Sequence, residues 1–357
     1  MNVHFSKFLR TGLKGLAIGA VALTIGTGTA AADDAPQRWK MQSWFPSKAP
    51  HAGTTGFDIQ TKIKRVSGGK FQIRFFEPGA LIPPSECFDA VSKGSVDACW
   101  STPAYWYGKD PAFALFSAAP FGPDWPGLMA WFYYHGGKEI YEGLYRKYNM
   151  HAMPCGGMIP EASGWFKNEI TSIDQFKGLK IRFLGLGALV LDKLGASTQL
   201  LAGGDIFPAL ELGTIDATEF AAPSVDWNLG FYQIVKNYYF PGWHQPATIY
   251  DIMMNLDKWN ALSDAQKAQL EMVCGDNVRQ AIALGESMQP EAMAKHASKG
   301  VTLRRWPPEI LDKLKSTWEE VAAELSAKDA TFKKAYDSLT AWQAEYQKWL
   351  DVGYLDR

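Results

Sequence analysis

Residues 203–220, GGDIFPALELGTIDATEF, constrain the fold more than any other stretch of this chain. Their pattern predicts a helix over about 207–212, a stop at Gly213 and a short strand over 214–218. Gly213 suits the stop because glycine enters the left-handed conformation without a Cβ clash. The strand delivers an acid, Glu219, to its C-terminal end. In open α/β sheets that edge is where ligands bind. Just upstream, residues 179–183 read as a second apolar strand that carries Arg182, followed by Gly185-Leu186-Gly187 and a helix. Two opposite charges thus come to the mouths of two strands. The pattern points to a small-anion pocket with a fixed arginine and a fixed carboxylate.

The unit has an echo. DAVSKGSVDACW (89–100) matches PALELGTIDATE (208–219) as helix, glycine, small hydroxyl residue, β-branched residue, then Asp-Ala. Two readings stay open. The units belong to two similar lobes that feed strand ends toward a shared cleft, or two common αβ units resemble each other by chance. Asp97 and Asp216, at equivalent positions, read as turn-stabilising carboxylates rather than ligands.

Lys7, Arg10 and Lys14 precede a short apolar run over 16–28, and Ala30-Ala31-Ala32 offers an A-x-A cleavage site. Residues 1–32 therefore read as a signal peptide, and the mature chain is expected to be exported and soluble. No cysteine follows the cleavage site, so no lipid anchor is expected. Without the three leader bases, 33 Lys and Arg face 37 Asp and Glu, a net of −4. That balance argues against nucleic acid and against an acidic membrane surface. The 357 residues suggest two domains, and 14 Trp, 14 Tyr and 20 Phe suit a pocket that encloses a small ligand. The four cysteines are scattered without C-x-x-C spacing and read as buried free thiols. If any pair forms, Cys87 and Cys99 are the first choice.

Strands are expected at 39–44, 70–76, 96–100, 150–153, 249–255 and 301–306, and residues 164–167 begin the second lobe. Helices are expected at 57–67, 86–93 and within 125–148. A capping box at Ser263 opens another that runs to about 286, and Pro290 starts or kinks a further one to 299. Pro307-Pro308 opens the next, and 332–350 forms the last. Gly156-Gly157 reads as a flexible crossing between lobes. Tyr336, Leu339, Trp342, Tyr346 and Trp349 form an apolar stripe on the last helix, which packs on its own chain or meets a second subunit.

Catalytic signatures are sparse. G-x-S-x-G, H-E-x-x-H, Walker A and G-x-G-x-x-G are all missing from the sequence, and the five histidines after the leader form no i, i+4 pair. Arg182 reads either as a bidentate carboxylate clamp or as the structural partner of an acid such as Glu219. Glu219 reads as a cation ligand, as a partner for a ligand ammonium, or as that structural partner. Tyr105-Trp106 either line a cleft or cover a sheet edge.

The PGG-like crossing, GWF (164–166), GLKIR (178–182), the block at 201–220, LGF (229–231) and YYFPGW (238–243) together resemble the periplasmic solute-binding subunit of TRAP (tripartite ATP-independent periplasmic) transporters. YGKDP (107–111) and WFYYHGG (131–137) fit the same DctP-type pattern. The resemblance is strongest to the subgroup that binds 2-oxo and 2-hydroxy monocarboxylates, of the pyruvate and lactate type, with a metal ion. It implies a two-lobed α/β periplasmic-binding-protein fold with a ligand cleft between the lobes and long C-terminal helices. The implied boundaries are 33–155 plus about 248–300 for lobe 1, 156–247 plus about 301–325 for lobe 2, and 326–357 for a C-terminal helix that serves as a dimer contact in some relatives.

The resemblance also assigns roles. Arg182 clamps the ligand carboxylate, and Tyr105, Trp106 and Trp243 lie where relatives contact the ligand. The metal is held by the Glu219 side chain and the Phe220 main-chain carbonyl. A third ligand, usually a glutamine, falls on Glu161. That departure sets two acids beside a ligand carboxylate, which favours a divalent ion, Ca²⁺ first, with Na⁺ as the other choice. Without metal, one acid must bind a proton, or the ligand must be cationic or zwitterionic. Phe220 replaces the commoner tryptophan, and His244 and Gln245 further alter ligand choice. The implied function is capture of a small organic acid by hinge closure for the TRAP membrane subunits, without catalysis. An exported enzyme using Glu161 or Glu219 as base, and a solute sensor, are the rival readings.

Overall fold

A computed structural model describes residues 34–355 of the chain. The signal peptide read over 1–32 lies outside those residues. Eleven strands are β1 (Gln37–Ser43), β2 (Phe71–Phe76), β3 (Ala98–Ser101), β4 (Met150–Met158), β5 (Gly164–Phe166), β6 (Lys180–Arg182), β7 (Ser197–Gln199), β8 (Ala217–Thr218), β9 (Asn237–Phe240), β10 (Thr248–Asn255) and β11 (Thr302–Arg305). They form two sheets among the described residues, in the orders β2-β1-β3-β10-β4 and β11-β9-β5-β8-β6-β7. Parallel pairs run over β2-β1-β3 in the first sheet and over β8-β6-β7 in the second, where β11 and β9 form a further parallel pair at the opposite edge.

The described residues also form eleven α-helices: α1 (Ala52–Val66), α2 (Cys87–Ser92), α3 (Trp125–Tyr134), α4 (Gly137–Arg146), α5 (Gly185–Lys193), α6 (Gly203–Glu211), α7 (Pro223–Leu229), α8 (Leu256–Asn260), α9 (Asp264–Ser298), α10 (Pro308–Lys328) and α11 (Ala330–Gly353). Ser263 and Gln266 close the capping box of α9, each side chain accepting the other's backbone N–H at 3.1 Å. That helix runs unbroken for 35 residues, with Pro290 inside it rather than opening a second helix. The last helix packs on its own chain. Trp342 stacks on His135 at 3.8 Å and donates to the Gly127 carbonyl at 2.8 Å.

Two expectations are corrected here. Gly156-Gly157 is not a flexible crossing. Both glycines lie inside β4, and a Cβ on Gly157 would meet the Trp125 ring at 1.8 Å, so a close ring approach is what requires glycine. The cysteines are not free thiols. Cys87 pairs with Cys99, and Cys155 on β4 pairs with Cys274 on α9, 119 residues away.

The two echoed units share their hydrogen bonds. Gly94 and Gly213 both have positive φ, +73° and +70°. Their N–H groups donate to Val91 and Leu210, and the next residues, Ser95 and Thr214, donate to Ala90 and Ala209. Asp97 accepts from the Lys40 N–H in the middle of the neighbouring parallel strand, and Asp216 accepts from the Lys180 N–H at the start of its neighbour. Each aspartate thus ties its strand to a parallel neighbour, β1 or β6.

Candidate functional site

The parallel register pairs Arg182 with Thr218, so Glu219 lies one residue beyond the pair at the C-terminal edge of the second sheet. The Glu219 N–H continues the ladder onto the Arg182 carbonyl at 3.1 Å. Both side chains are buried, with Arg182 3% and Glu219 0% exposed. Arg182 Nη1 reaches Glu219 Oε1 at 2.8 Å and the Glu219 carbonyl at 2.8 Å. Its Nε donates to the Leu201 carbonyl at 3.2 Å. Nη2 takes part in none of these bonds. The guanidinium lies 5.2 Å from the Phe220 ring centre. The Leu184 N–H donates to Glu219 Oε1 at 2.6 Å, while Oε2 has no partner.

Glu161 comes from the segment between β4 and β5, and His244 and Gln245 come from the turn between β9 and β10. A Cβ on Gly242 would strike the Glu161 carbonyl at 2.2 Å, so only glycine lets that turn press against Glu161. Glu161 Oε1 accepts from Gln245 Nε2 at 3.2 Å and from Thr248 Oγ1 at 3.4 Å. Its Oε2 has no hydrogen-bond partner and lies 3.9 Å from His244 Nε2. Donor atoms of Glu161, Glu219 and His244 all fall within 4.8 Å of one another.

Burial dominates the electrostatics. It pushes the Glu161 carboxyl well above the usual range, helped by the nearby Glu219 and Asp226 charges and opposed by Arg182. It raises Glu219 too, against the pull of Arg182 and the Leu184 N–H. His244 is held down to about 3 by burial and by the Arg182 charge, so its imidazole is neutral. Burial raises the Tyr105 hydroxyl to about 12, and that group also feels Arg182, Glu219 and Glu161. Two carboxylates with unpartnered oxygens and a neutral imidazole, all beside a guanidinium, form a donor set suited to a cation and a carboxylate together.

Four of the residues named from sequence thus come together with His244: Arg182, Glu219, Phe220 and Glu161. Tyr105 joins from the first sheet side. Trp106, next in the chain, turns into the large core instead, 5.2 Å from Phe88 and 5.8 Å from Trp44. Trp243 stacks between Phe121 and Phe183, at 5.7 and 5.9 Å, and backs the His244 segment. Sequence reasoning did not name Thr248, Tyr250 or Asp226. Tyr250 is buried and feels Glu161, and Asp226 adds to the charge acting on it. All eight residues of β10 are buried, so no alternation could single out Thr248 or Tyr250.

Family comparison decides the class. Residues 44–329 match the model of the bacterial extracellular solute-binding proteins, family 7 (DctP). The chain belongs to that family. A monocarboxylate 2-oxoacid-binding periplasmic protein of Nostoc sp. is 32% identical over 320 residues, covering 89% of this chain and 87% of the relative. A TRAP transporter solute-binding protein of Bordetella bronchiseptica, a mixed-occupancy dimer with copurified calcium and picolinate, is similar at a TM-score of 0.86 and 32% identity, covering 89% and 95% of the two chains. One from Colwellia psychrerythraea, with bound calcium and pyruvate, gives a TM-score of 0.84 and 29% identity, covering 89% and 97%. This DctP-family chain is therefore a TRAP-type solute-binding protein with the two-lobed α/β fold. Among its described residues no helix is long and apolar enough to cross a membrane.

Proposed function

We propose that this DctP-family protein works in the periplasm as the receptor of a TRAP transporter, capturing a 2-oxo or 2-hydroxy monocarboxylate together with a metal ion. One observation carries the reading. Glu161 and Glu219 each leave one buried oxygen without a partner, within reach of each other and of Arg182. Two such acids are costly to bury facing one another, and a cation between them removes that cost. The calcium found with pyruvate or picolinate in similar proteins supports Ca²⁺ here, with Na⁺ as the second choice.

In this reading Glu161, Glu219 and the Phe220 carbonyl hold the metal. Arg182 takes the ligand carboxylate through Nη2, its nitrogen outside the internal hydrogen bonds, while Nη1 keeps Glu219 in place. Tyr105 closes the site from the side of the first sheet. Trp243 and Trp106 act through packing, Trp243 behind the His244 turn and Trp106 under the Tyr105 turn. The two sheets are the cores of two lobes, 33–155 plus about 248–300 and 156–247 plus about 301–325, which close on the guest and release it unchanged to the membrane subunits. A second copy docks through the free end of α11 and the residues just after it, where Trp349, Val352 and Leu355 are exposed.

A thermal-shift screen of small organic acids tests the proposal. Pyruvate with Ca²⁺ should raise the melting temperature more than either alone, because only the folded form binds them. No shift with any 2-oxo or 2-hydroxy acid, with or without Ca²⁺, would reject it. Light scattering on the same sample reads the dimer directly.

A further inference from the structure

Three buried histidines contrast sharply. His51 Nε2 lies 3.1 Å from Ser224 Oγ, and His296 Nε2 lies 3.0 Å from the Pro223 carbonyl. Each therefore has a hydrogen bond that fixes its ring. His244 is 1% exposed, yet neither of its ring nitrogens has a hydrogen-bond partner. Leaving a buried polar group unpaired is costly, so such a group in a well-packed site calls for an explanation. The ring is not loosely placed. Phe183 packs edge-on against it at 4.6 Å, and the tight turn at Gly242 fixes its approach to Glu161. Its Nε2 lies 3.9 Å from the unpartnered Oε2 of Glu161.

One ion can take one donor atom from each of Glu161, Glu219 and His244. Metal–ligand bonds of about 2.0–2.6 Å span two donors up to about 5 Å apart. The donors of Glu161, Glu219 and His244 fall within 4.8 Å of one another. The ligand set that the family resemblance implies contains only oxygen, which suits hard ions. An imidazole nitrogen changes that balance, because N/O sites follow the order in which Co²⁺ and Zn²⁺ outrank Mn²⁺, and imidazole is a poor ligand for Ca²⁺. We propose that His244 is a third side-chain ligand of the metal. The site then takes a borderline first-row divalent ion, Co²⁺ or Zn²⁺, more tightly than Ca²⁺ when no organic acid is present. The proposal rests on the metal-assisted reading above and adds the nitrogen donor and the class of ion.

The test uses the whole mature protein, stripped with chelator. Calorimetric titration with Ca²⁺, Mn²⁺, Co²⁺ and Zn²⁺, without acid, should rank Co²⁺ and Zn²⁺ at least about tenfold above Ca²⁺. His244→Gln should lose at least about tenfold for Co²⁺ and Zn²⁺ and so narrow or abolish their lead over Ca²⁺. A second measurement needs no variant. Pulsed electron paramagnetic resonance on the wild-type Mn²⁺ complex should detect coupling to an imidazole nitrogen. Ca²⁺ binding tightest, or the nitrogen coupling missing, overturns the assignment of His244. The same samples are titrated with pyruvate and Ca²⁺. Calcium-dependent pyruvate binding without nitrogen coupling defeats this inference and leaves the proposed function standing. Failure of the wild type to bind any of the four metals, with no response to pyruvate, defeats both.

Discussion

The two echoed units lead to different buried acids, Asp251 of the neighbouring β10 for the first and its own Glu219 for the second, and the difference separates frame from function. The first unit ends in β3, where Ser101 donates to Asp251 Oδ1 at 3.1 Å. Tyr141 donates to Asp251 Oδ2 at 2.7 Å, and Tyr145 donates to the same oxygen. Both oxygens of that acid are satisfied, and it braces the first sheet against α4. The second unit ends in Glu219. There Oε1 is held by Leu184 and Arg182 while Oε2 has no partner, and Glu161 repeats the pattern with its own Oε2. The same helix, glycine, aspartate and strand thus present a hydroxyl to a saturated acid of β10 in one half and carry an unsaturated acid of their own in the other. An acid that already has its donors is a brace. One held rigidly with an oxygen to spare is ready for a guest.

Arg182→Ala should break the second centre most severely. It removes the clamp and leaves Glu219 buried without its counter-charge, which costs about 3–5 kcal/mol. Calorimetry should show pyruvate affinity reduced by at least about a hundredfold, equivalent to about 2.7 kcal/mol. Near-normal affinity would mean that Arg182 only braces Glu219. Asp251→Ala should do the reverse in the first centre. Three hydroxyls lose their acceptor at once, so stability should fall by about 2–4 kcal/mol in urea unfolding. Ligand affinity, measured where the variant is folded, should stay within about twofold, since Asp251 is outside the guest's donor set.

The saturated acid also sets a pH dependence. Asp251 rises from 3.8 to about 6, chiefly through burial. Asp226, braced by Trp165 and Tyr238, rises to about 7 for the same main reason. In both cases the folded state holds the proton more tightly than the unfolded chain does. Their contribution is therefore fully present below pH 4 and is lost as pH climbs through 6 and 7. For Asp251 the loss is about 3 kcal/mol. Urea midpoints should fall from pH 4 to pH 7, and Asp251→Ala should remove the part between about 4 and 6. A flat profile in the wild type would show that these acids keep ordinary affinities.

Glu161→Gln sharpens the contrast from the other side. It replaces an unsaturated buried acid with a neutral amide of the same shape. The metal-free protein should gain about 1 kcal/mol, and the gain should vanish when Ca²⁺ is added to both proteins. Loss of stability in the metal-free variant would mean that Glu161 braces the turn more than it awaits a cation.

Much of this frame was legible in the sequence, because its signals are local. Gly213 and the Ser263 capping box each act within four residues, and the structure places both where their pattern implied, whereas Asp97 and Asp216 tie down strands 57 and 36 positions away rather than their own turns. The strand before Glu219 is shorter than expected, Ala217–Thr218, and its helix begins earlier, at Gly203. What escaped was set by neighbours distant in sequence. Gly156-Gly157 looked flexible because the Trp100 and Trp125 rings that fill their missing side chains lie 56 and 32 positions away. Cys155 and Cys274 carried no spacing signal over 119 residues. Tyr105 and Trp106 are adjacent, yet one short turn sends the first toward the charges and the second into the core. His244 appeared as a modifier of ligand choice, and its missing partner becomes visible only once Gly242 brings it against Glu161.

The smallest expected effect tests whether the two units are the same frame. Gly94→Ala and Gly213→Ala each place a Cβ on a residue with φ near +70°, and nothing stands within 3.4 Å of either Cβ. Space is available in both, so the cost is backbone strain alone, about 1 kcal/mol each. Thermal unfolding should give the two variants matching losses, and pyruvate affinity should be unchanged in both. Strain is absorbed at the stop and does not travel along a strand whose register is fixed by Asp97 or Asp216. If Gly213→Ala alone weakened binding, the strand carrying Glu219 would be softer than its echo. The acid would then owe its position to Arg182 and Leu184 rather than to the unit that delivers it.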